Sequence, residues 1–224
     1  MSSQHGSIES FFLEGETGRL EALLNVGRPD AGYACVVCHP HPLYGGTMHN
    51  KVVFHAMKAL NSFGFPVLRF NFRGVGTSAG EHDGGRGEIA DVGVALNYLA
   101  ERFPVPVIFA GFSFGAAIGL RAAVPHPRVK ALIALGIPVN AEGREYSYRL
   151  LQESKQPKLL LSGGRDEFAT PAQLAQVFVH AAEPKRLVTI PEADHFFTGH
   201  LDEMRSALSD WVREVVGPAT SSAV

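Results

Sequence analysis

A serine between two glycines is the residue in this sequence best suited to act as a nucleophile. Residues 111–115 read Gly-Phe-Ser-Phe-Gly, after an apolar run that begins near Val105 and before a segment rich in alanine and glycine. This pattern predicts a strand, a sharp turn and a helix. In such a turn the serine has a strained backbone and its hydroxyl is exposed above the sheet. Ser113 is therefore the candidate nucleophile.

A serine hydroxyl is a weak nucleophile that needs a base, and two later stretches of the chain supply candidates. One apolar run ends just before Asp166, and another ends a few residues before His195. In α/β sheets, functional residues collect at the carboxyl ends of the strands. We predict that His195 accepts the Ser113 proton and that Asp166 orients the imidazole and stabilises its charged form.

Both assignments have alternatives nearby in the chain. Glu167 and Asp194 are other candidate acids, and His200 is another candidate base. Asp166 is preferred because it follows a strand end directly. His195 is preferred because His200 falls where the last helix is expected to begin.

The elements that must position these residues alternate along the chain as strands and helices. Short apolar runs are typical of strands buried on both faces, and the segments between them have helical periodicity. We therefore expect one α/β domain over residues 1–224, with a mostly parallel, twisted sheet of about seven or eight strands and helices on both faces. The segments 7–13 and 19–26 predict an N-terminal hairpin, and 217–224 is expected to be a flexible tail.

Size, charge and hydropathy exclude several classes of function. The chain has 224 residues, is 46% hydrophobic and carries a net charge of −2 from 20 basic and 22 acidic side chains. No basic cluster predicts nucleic-acid binding, and no apolar run approaches the ~20 residues of a membrane span. The first residues lack the pattern of a signal peptide, so we expect a cytoplasmic protein. We also expect a monomer or a homodimer.

Two longer motifs make the chain resemble a known family. Residues 39–53, HPHPLYGGTMHNKVV, and residues 69–80, RFNFRGVGTSAG, are similar to hallmarks of small, lidless bacterial hydrolases related to dienelactone hydrolase. The order Ser113, Asp166, His195 is also that of the α/β-hydrolase triad. The resemblance implies an α/β-hydrolase fold. Dienelactone hydrolases use a cysteine where this chain has Ser113, which favours ordinary ester chemistry.

The resemblance also implies where the oxyanion of the reaction is stabilised. One donor is the backbone N–H of Phe114, at the start of a helix, and the other comes from the loop that begins at His39. Pro40 and Pro42 have no N–H. The His41 backbone matches the position that supplies the donor in related hydrolases, and Leu43 is the alternative.

The remaining chemistry-bearing residues are interpreted more simply. His39, His41, His49 and His55 are expected to shape loops; no metal and no cofactor is expected. Cys35 and Cys38 lie three apart on a strand, point to opposite faces and are interpreted as inert thiols.

Arg73 is expected to tie loops together through backbone carbonyls, with a substrate carboxylate as the alternative partner. The aromatic residues predicted to form the substrate pocket are Tyr44, Phe72, Phe112, Phe168 and Phe196.

The predicted function is a serine hydrolase that cleaves small or short-chain carboxylic esters through an acyl-enzyme. In α/β-hydrolases a cap is usually inserted after the strand that follows the nucleophile helix. Here that interval, 137–156, has only twenty residues and is predicted to form a short cap-like segment, with one helix. The alternatives are a thioesterase, peptidase or lactone hydrolase with the same triad, or a non-catalytic binding protein of the same fold.

Overall fold

The computed structural model describes residues 7–141 and 143–216, so the predicted tail at 217–224 lies outside the described residues. Ten strands occur in that part of the chain: β1 (Ile8–Gly15), β2 (Gly18–Asn25), β3 (Ala34–Cys38), β4 (Val67–Phe70), β5 (Val107–Phe112), β6 (Val129–Leu135), β7 (Asn140–Ala141), β8 (Arg144–Glu145), β9 (Lys158–Gly163) and β10 (Lys185–Ile190). The helices between them are α1 (Lys51–Asn61), α2 (Arg86–Arg102), α3 (Phe114–Ala123), α4 (Leu150–Glu153), α5 (Pro171–His180) and α6 (Leu201–Val216).

Eight of these strands form one sheet in the order β1-β2-β4-β3-β5-β6-β9-β10. The N-terminal hairpin pairs antiparallel within itself, and β2 pairs antiparallel with β4. All later pairings in this sheet are parallel. The predicted α/β-hydrolase fold, with a mostly parallel sheet of seven or eight strands, is thus confirmed.

Helices cover both faces of the sheet, so the central strands are buried on two sides. Helices α1 and α6 pack on one face, and α2 and α3 pack together on the other. Cys35 and Cys38 show the alternation of β3 directly, because each belongs to a different one of the two hydrophobic cores. Burial raises the pKa of both thiols, which keeps them protonated and unreactive.

Several helix starts are encoded locally. The Asn50 side chain accepts a hydrogen bond from the Val52 N–H and caps α1 at 2.9 Å. Thr170 and Gln173 form a reciprocal capping box at the start of α5, with Pro171 as its first residue. Helix α1 therefore begins at Lys51, directly after its capping residue.

The interval 137–156 differs from the single helix that was predicted. It contains the two-stranded ribbon of β7 and β8, followed by the four-residue α4. The Val139 and Asn140 amides donate to the Phe168 carbonyl, and the Tyr148 hydroxyl donates to the Pro138 carbonyl. The segment is therefore tied to the loop after β9, and it is too short to be a substantial cap.

Candidate active site

Ser113 lies at the turn between β5 and α3 and has the unusual backbone conformation that this turn demands. Its φ is 54° and its ψ is −123°, which is strained for a residue with a Cβ. The Ser113 amide donates to the Leu135 carbonyl at 2.9 Å, and its carbonyl accepts from the amides of Ala116 and Ala117. These bonds hold the strained turn, which presents the hydroxyl at the carboxyl end of β5.

The glycines on either side of Ser113 are required by close backbone contacts. A Cβ on Gly111 would lie 2.6 Å from the Ala116 Cα, and a Cβ on Gly115 would lie 2.3 Å from the His39 carbonyl oxygen. Backbone atoms at these distances cannot yield as a flexible side chain could. The start of α3 therefore packs directly against β5 and against the loop after β3.

The three predicted catalytic side chains meet at hydrogen-bonding distance. The His195 Nε2 is 2.9 Å from the Ser113 Oγ, and the His195 Nδ1 is 2.9 Å from the Asp166 Oδ2. A neutral imidazole with its proton on Nδ1 satisfies both contacts: it donates to Asp166 and accepts from Ser113. The serine hydroxyl thus faces a base whose other nitrogen is held by a carboxylate.

Two further groups, which sequence reasoning missed, hold Asp166 in place. The Ser162 hydroxyl donates to Asp166 Oδ2 at 3.0 Å, and the Phe168 amide donates to Oδ1 at 2.9 Å. Ser162 lies in β9, four residues before Asp166. This short separation in the chain is the feature of the sequence that could have identified it as a partner of Asp166. Both donors hold the carboxyl group in place and so fix the position of the oxygen that faces His195 Nδ1.

The alternative acids and base have other positions. Glu167 is exposed, and Asp194 accepts a hydrogen bond from the Thr198 amide within its own turn. His200 directly precedes α6, and its Nδ1 lies 2.8 Å from Oε1 of Glu203 in that helix. The structure therefore brings Asp166 and His195, rather than these neighbours, to Ser113.

A cavity of about 360 Å³ opens beside these side chains. Of the aromatic residues predicted to form the pocket, Tyr44, Phe168 and Phe196 line it, together with Ser113 and His195. Its wall also includes three residues of the 137–156 segment that sequence reasoning missed: Pro138, Ala141 and Tyr146. They could not be assigned from sequence because the path of the segment depends on its bonds to the loop after β9.

The pocket prediction does not hold for Phe72 and Phe112, neither of which lines the cavity. Phe72 is fully buried, with its ring against Phe70 and Phe114 in the core. Phe112 is also fully buried and contacts the His195 ring, with 5.0 Å between ring centroids. Phe112 is the chain neighbour of Ser113, and Phe72 lies in one of the loop motifs, but both side chains are buried in the packed interior.

Phe114 and His41 both border the cavity next to Ser113. Phe114 is the first residue of α3, and the first N–H groups of a helix have no acceptor within it. The rings of His41 and Phe114 lie 4.6 Å apart between centroids. The alternative donor Leu43 is placed differently, because its amide already donates to the His41 Nδ1 at 3.2 Å.

His39 has a structural environment rather than a metal-binding one. Its Nδ1 lies 2.7 Å from the Pro40 carbonyl oxygen, and its Nε2 accepts from the Phe72 amide at 3.0 Å. Burial lowers the pKa of His39 to about 4, so its imidazole is neutral near neutral pH. Within residues 7–141 and 143–216, no group of three His, Cys, Asp or Glu side chains is arranged to hold a metal ion.

Arg73 ties two elements together through a carboxylate rather than through the backbone carbonyls that were predicted. Its guanidinium forms a buried ion pair with Asp91 of α2 at 2.7 Å, and its amide also donates to Asp91. The hydrogen bonds to Asp91 raise the pKa of Arg73 further. Because Arg73 does not line the cavity, this geometry gives no support to the alternative role of binding a substrate carboxylate.

The sheet order, the strained serine turn and the Ser-His-Asp contacts together define an α/β-hydrolase. A family model for the alpha/beta hydrolase domain matches residues 41–216, and the chain belongs to this family. An uncharacterized protein of Rickettsia prowazekii is 34% identical over 213 residues, which are 92% of this chain and 89% of that protein.

No helix among the described residues has the length and apolar character to cross a bilayer.

Two solved structures extend the comparison. An alpha-beta serine hydrolase homologue from Coxiella burnetii is 36% identical, with a TM-score of 0.83, and the match covers 91% of this chain and 97% of that one. A serine hydrolase without a lid from Xanthomonas campestris is 34% identical, also with a TM-score of 0.83, and the match covers 96% and 97%.

Proposed function

We propose that the protein is a carboxylesterase-type serine hydrolase that cleaves small or short-chain esters through an acyl-enzyme. The observation that carries this proposal is the continuous set of contacts from Ser113 Oγ through His195 to Asp166, each 2.9 Å long. The serine has a base within reach, and the base is oriented by a carboxylate that has two further donors. This is the arrangement that serine acyl transfer requires.

The reaction then proceeds in two stages. Ser113 Oγ attacks the ester carbonyl while His195 Nε2 takes its proton, and the proton passes to the alcohol oxygen as the C–O bond breaks. His195 next removes a proton from water, which attacks the acyl-Ser113 carbonyl. The proton then passes to Ser113 Oγ as the bond between Oγ and the acyl carbon breaks, and the acid is released. In both stages the oxyanion accepts hydrogen bonds from the backbone amides of Phe114 and His41. Loss of one such donor costs about 3–4 kcal/mol of barrier.

The size and openness of the site support small substrates. The cavity is about 360 Å³, and the interval 137–156 is too short to enclose a long chain. Tyr44 and Phe196 lie at its mouth with relative exposures of 68% and 47%. A small apolar ester of a few carbons fits in a cavity bordered by these rings, whereas a long chain has no enclosed path.

The test is labelling with a fluorophosphonate probe, followed by turnover of p-nitrophenyl acetate and butyrate. The probe is expected to add its mass to the Ser113 peptide, and Ser113→Ala is expected to lose labelling and turnover together. Ser209→Ala is the matched control, because this serine lies on α6 and bonds only to the Arg205 carbonyl. Ester hydrolysis retained in Ser113→Ala would contradict the proposal.

A substrate panel separates the proposed reaction from its alternatives, because the same triad can cleave thioesters, peptides and lactones. Faster turnover of one of those classes than of p-nitrophenyl esters would replace the ester assignment. A protein that binds ligands but is inert to the probe would instead be a non-catalytic member of the fold. A cytoplasmic location and a monomeric or homodimeric state stay predictions.

A further inference from the structure

Tyr146 lines the catalytic cavity, but the proposed reaction gives this residue no role. It directly follows β8, and its amide donates to the Val139 carbonyl at 3.0 Å, so the ribbon holds its backbone. Its side chain is half-buried and packs against the same hydrophobic core as α2 and α3. Tyr146 is therefore held from both its backbone and its ring.

Three cavities share Tyr146 in their walls. The first is the catalytic cavity of about 360 Å³, which contains Ser113. The second is a groove of about 680 Å³ between the 137–156 segment and α5, with Val139 and Val177 in its lining. The third, of about 460 Å³, lies beside α3. Tyr146 thus belongs to the wall of the cavity that contains the reacting serine and also to the wall of the groove of about 680 Å³.

Phe196 is a second aromatic residue that the catalytic cavity shares with another cavity. It also lines a cavity that is bordered by Val52 of α1 and Leu201 of α6, on the opposite face of the sheet from α3. Phe196 is the chain neighbour of His195, and their ring centroids are 5.1 Å apart. The wall of the catalytic cavity therefore includes Phe196 beside the base and Tyr146 of the 137–156 segment.

The chemistry of acyl transfer assigns a direction to this cavity. The alcohol oxygen of the ester must face His195 Nε2, because that nitrogen supplies its proton. The oxyanion must face the Phe114 amide. The alcohol part of the ester is thus on the Phe196 side, and the acyl chain extends towards Tyr146.

We propose that Tyr146 closes the acyl end of the catalytic cavity and so sets the length of acyl chain that the enzyme accepts. This inference rests on the proposed ester hydrolysis. Removal of the ring joins the catalytic cavity to the groove between the 137–156 segment and α5. The side chains of Val139 and Val177 in that groove then provide apolar surface for the carbons beyond the wall.

The experiment measures kcat/KM for p-nitrophenyl esters from acetate to decanoate in the wild type, Tyr146→Ala and Tyr146→Phe. In Tyr146→Ala the ratio of kcat/KM for decanoate to that for butyrate is expected to rise about tenfold or more, since each methylene in an apolar pocket contributes discrimination of that order. Tyr146→Phe keeps the ring and is expected to keep the wild-type ratio. Tyr98→Ala is the matched control, since it removes another half-buried tyrosine far from the cavity, on α2.

Phe196→Ala tests the assigned direction with a second series, in which the acid is always acetic acid and the alcohol varies in length. This variant is expected to change the alcohol series and not the acyl series, and Tyr146→Ala is expected to do the reverse. An unchanged acyl series in a folded Tyr146→Ala protein would overturn the inference while leaving ester hydrolysis intact. Absence of labelling and of ester turnover in the wild type would overturn both proposals.

Discussion

Two buried histidines of this protein, His39 and His195, have nearly the same surroundings but different partners. Each follows a strand of the central sheet, and each has a phenylalanine ring packed edge-on against it. Both ring nitrogens of each imidazole are within hydrogen-bonding distance of a partner. Burial alone therefore does not distinguish a structural histidine from the candidate catalytic base.

The difference lies in the chemistry of the partners. His39 lies between a carbonyl and an amide of the main chain, neither of which carries a full charge, and burial lowers its pKa to about 4. His195 lies between the Asp166 carboxylate and the Ser113 hydroxyl. A carboxylate stabilises the imidazolium that forms when the serine proton is taken. The comparison teaches that, of these two buried histidines, the one with a carboxylate at Nδ1 and a serine hydroxyl at Nε2 is suited to act as a base.

The largest expected effect is at His195. His195→Gln is expected to lower kcat/KM for p-nitrophenyl butyrate by about 10⁶-fold, because the serine loses its base. The free energy of unfolding should change much less than the activity, and urea denaturation checks this. If the variant kept substantial turnover while His39→Leu lost it, the two histidines would have the opposite roles.

Asp166→Asn tests the partner rather than the histidine. The amide preserves the shape of the side chain but can favour the wrong imidazole tautomer, so kcat is expected to fall by about 10⁴-fold. The control is Asp194→Asn, which changes the other acid near His195 and should have a far smaller effect on kcat. A larger loss in Asp194→Asn would transfer the orienting role to that residue.

His39→Leu is expected to act mainly on stability. Leucine cannot accept from the Phe72 amide or donate to the Pro40 carbonyl, and each buried group left unpaired costs about 1–3 kcal/mol. Urea unfolding near neutral pH measures the loss. His39→Gln retains a donor and an acceptor and is expected to recover part of it. Full stability in His39→Leu would show that these hydrogen bonds contribute nothing.

The pH dependence of stability gives the smallest effect and the most direct reading of the His39 pKa. Because the folded pKa, about 4, is below the unfolded value of 6.5, the unfolded chain binds the proton more readily. The contribution of His39 to the free energy of unfolding is fully present above the unfolded pKa and is lost as the pH falls towards the folded pKa. From about pH 7.5 to about pH 5 this amounts to about 2 kcal/mol.

Urea unfolding of the wild type and His39→Leu at both pH values isolates this contribution from other titrating groups. The loss of stability between the two pH values is expected to be about 2 kcal/mol smaller in the variant. Equal losses in the two proteins would mean that His39 titrates normally in the folded state.

Much of the site was predictable because its signals are local or depend on strand ends. The turn at Ser113 needs glycine on both sides, because a Cβ at either position would lie 2.6 Å or less from backbone atoms. Asp166 and His195 follow parallel strands, and the carboxyl ends of such strands meet at one edge of a sheet. These rules require no knowledge of how distant side chains pack.

Other features depend on contacts that no local pattern encodes. Phe72 and Phe112 were predicted to form the pocket, yet both side chains are fully buried. Tyr146 lines the cavity instead, directly after a ribbon that was not predicted. The ribbon takes its path from the bonds of Val139 and Asn140 to the Phe168 carbonyl. A short polar segment has no periodicity of its own to predict such a path.

The sequence by itself determined the fold, the serine turn and the three residues proposed for catalysis, because glycine requirements, apolar periodicity and strand ends are properties of short stretches. Only the tertiary structure decided the distances between these side chains and which aromatic rings border the cavity. Those outcomes depend on hydrogen bonds and packing between residues far apart in the chain, such as His195 with Asp166 and Tyr146 with the core beside α3.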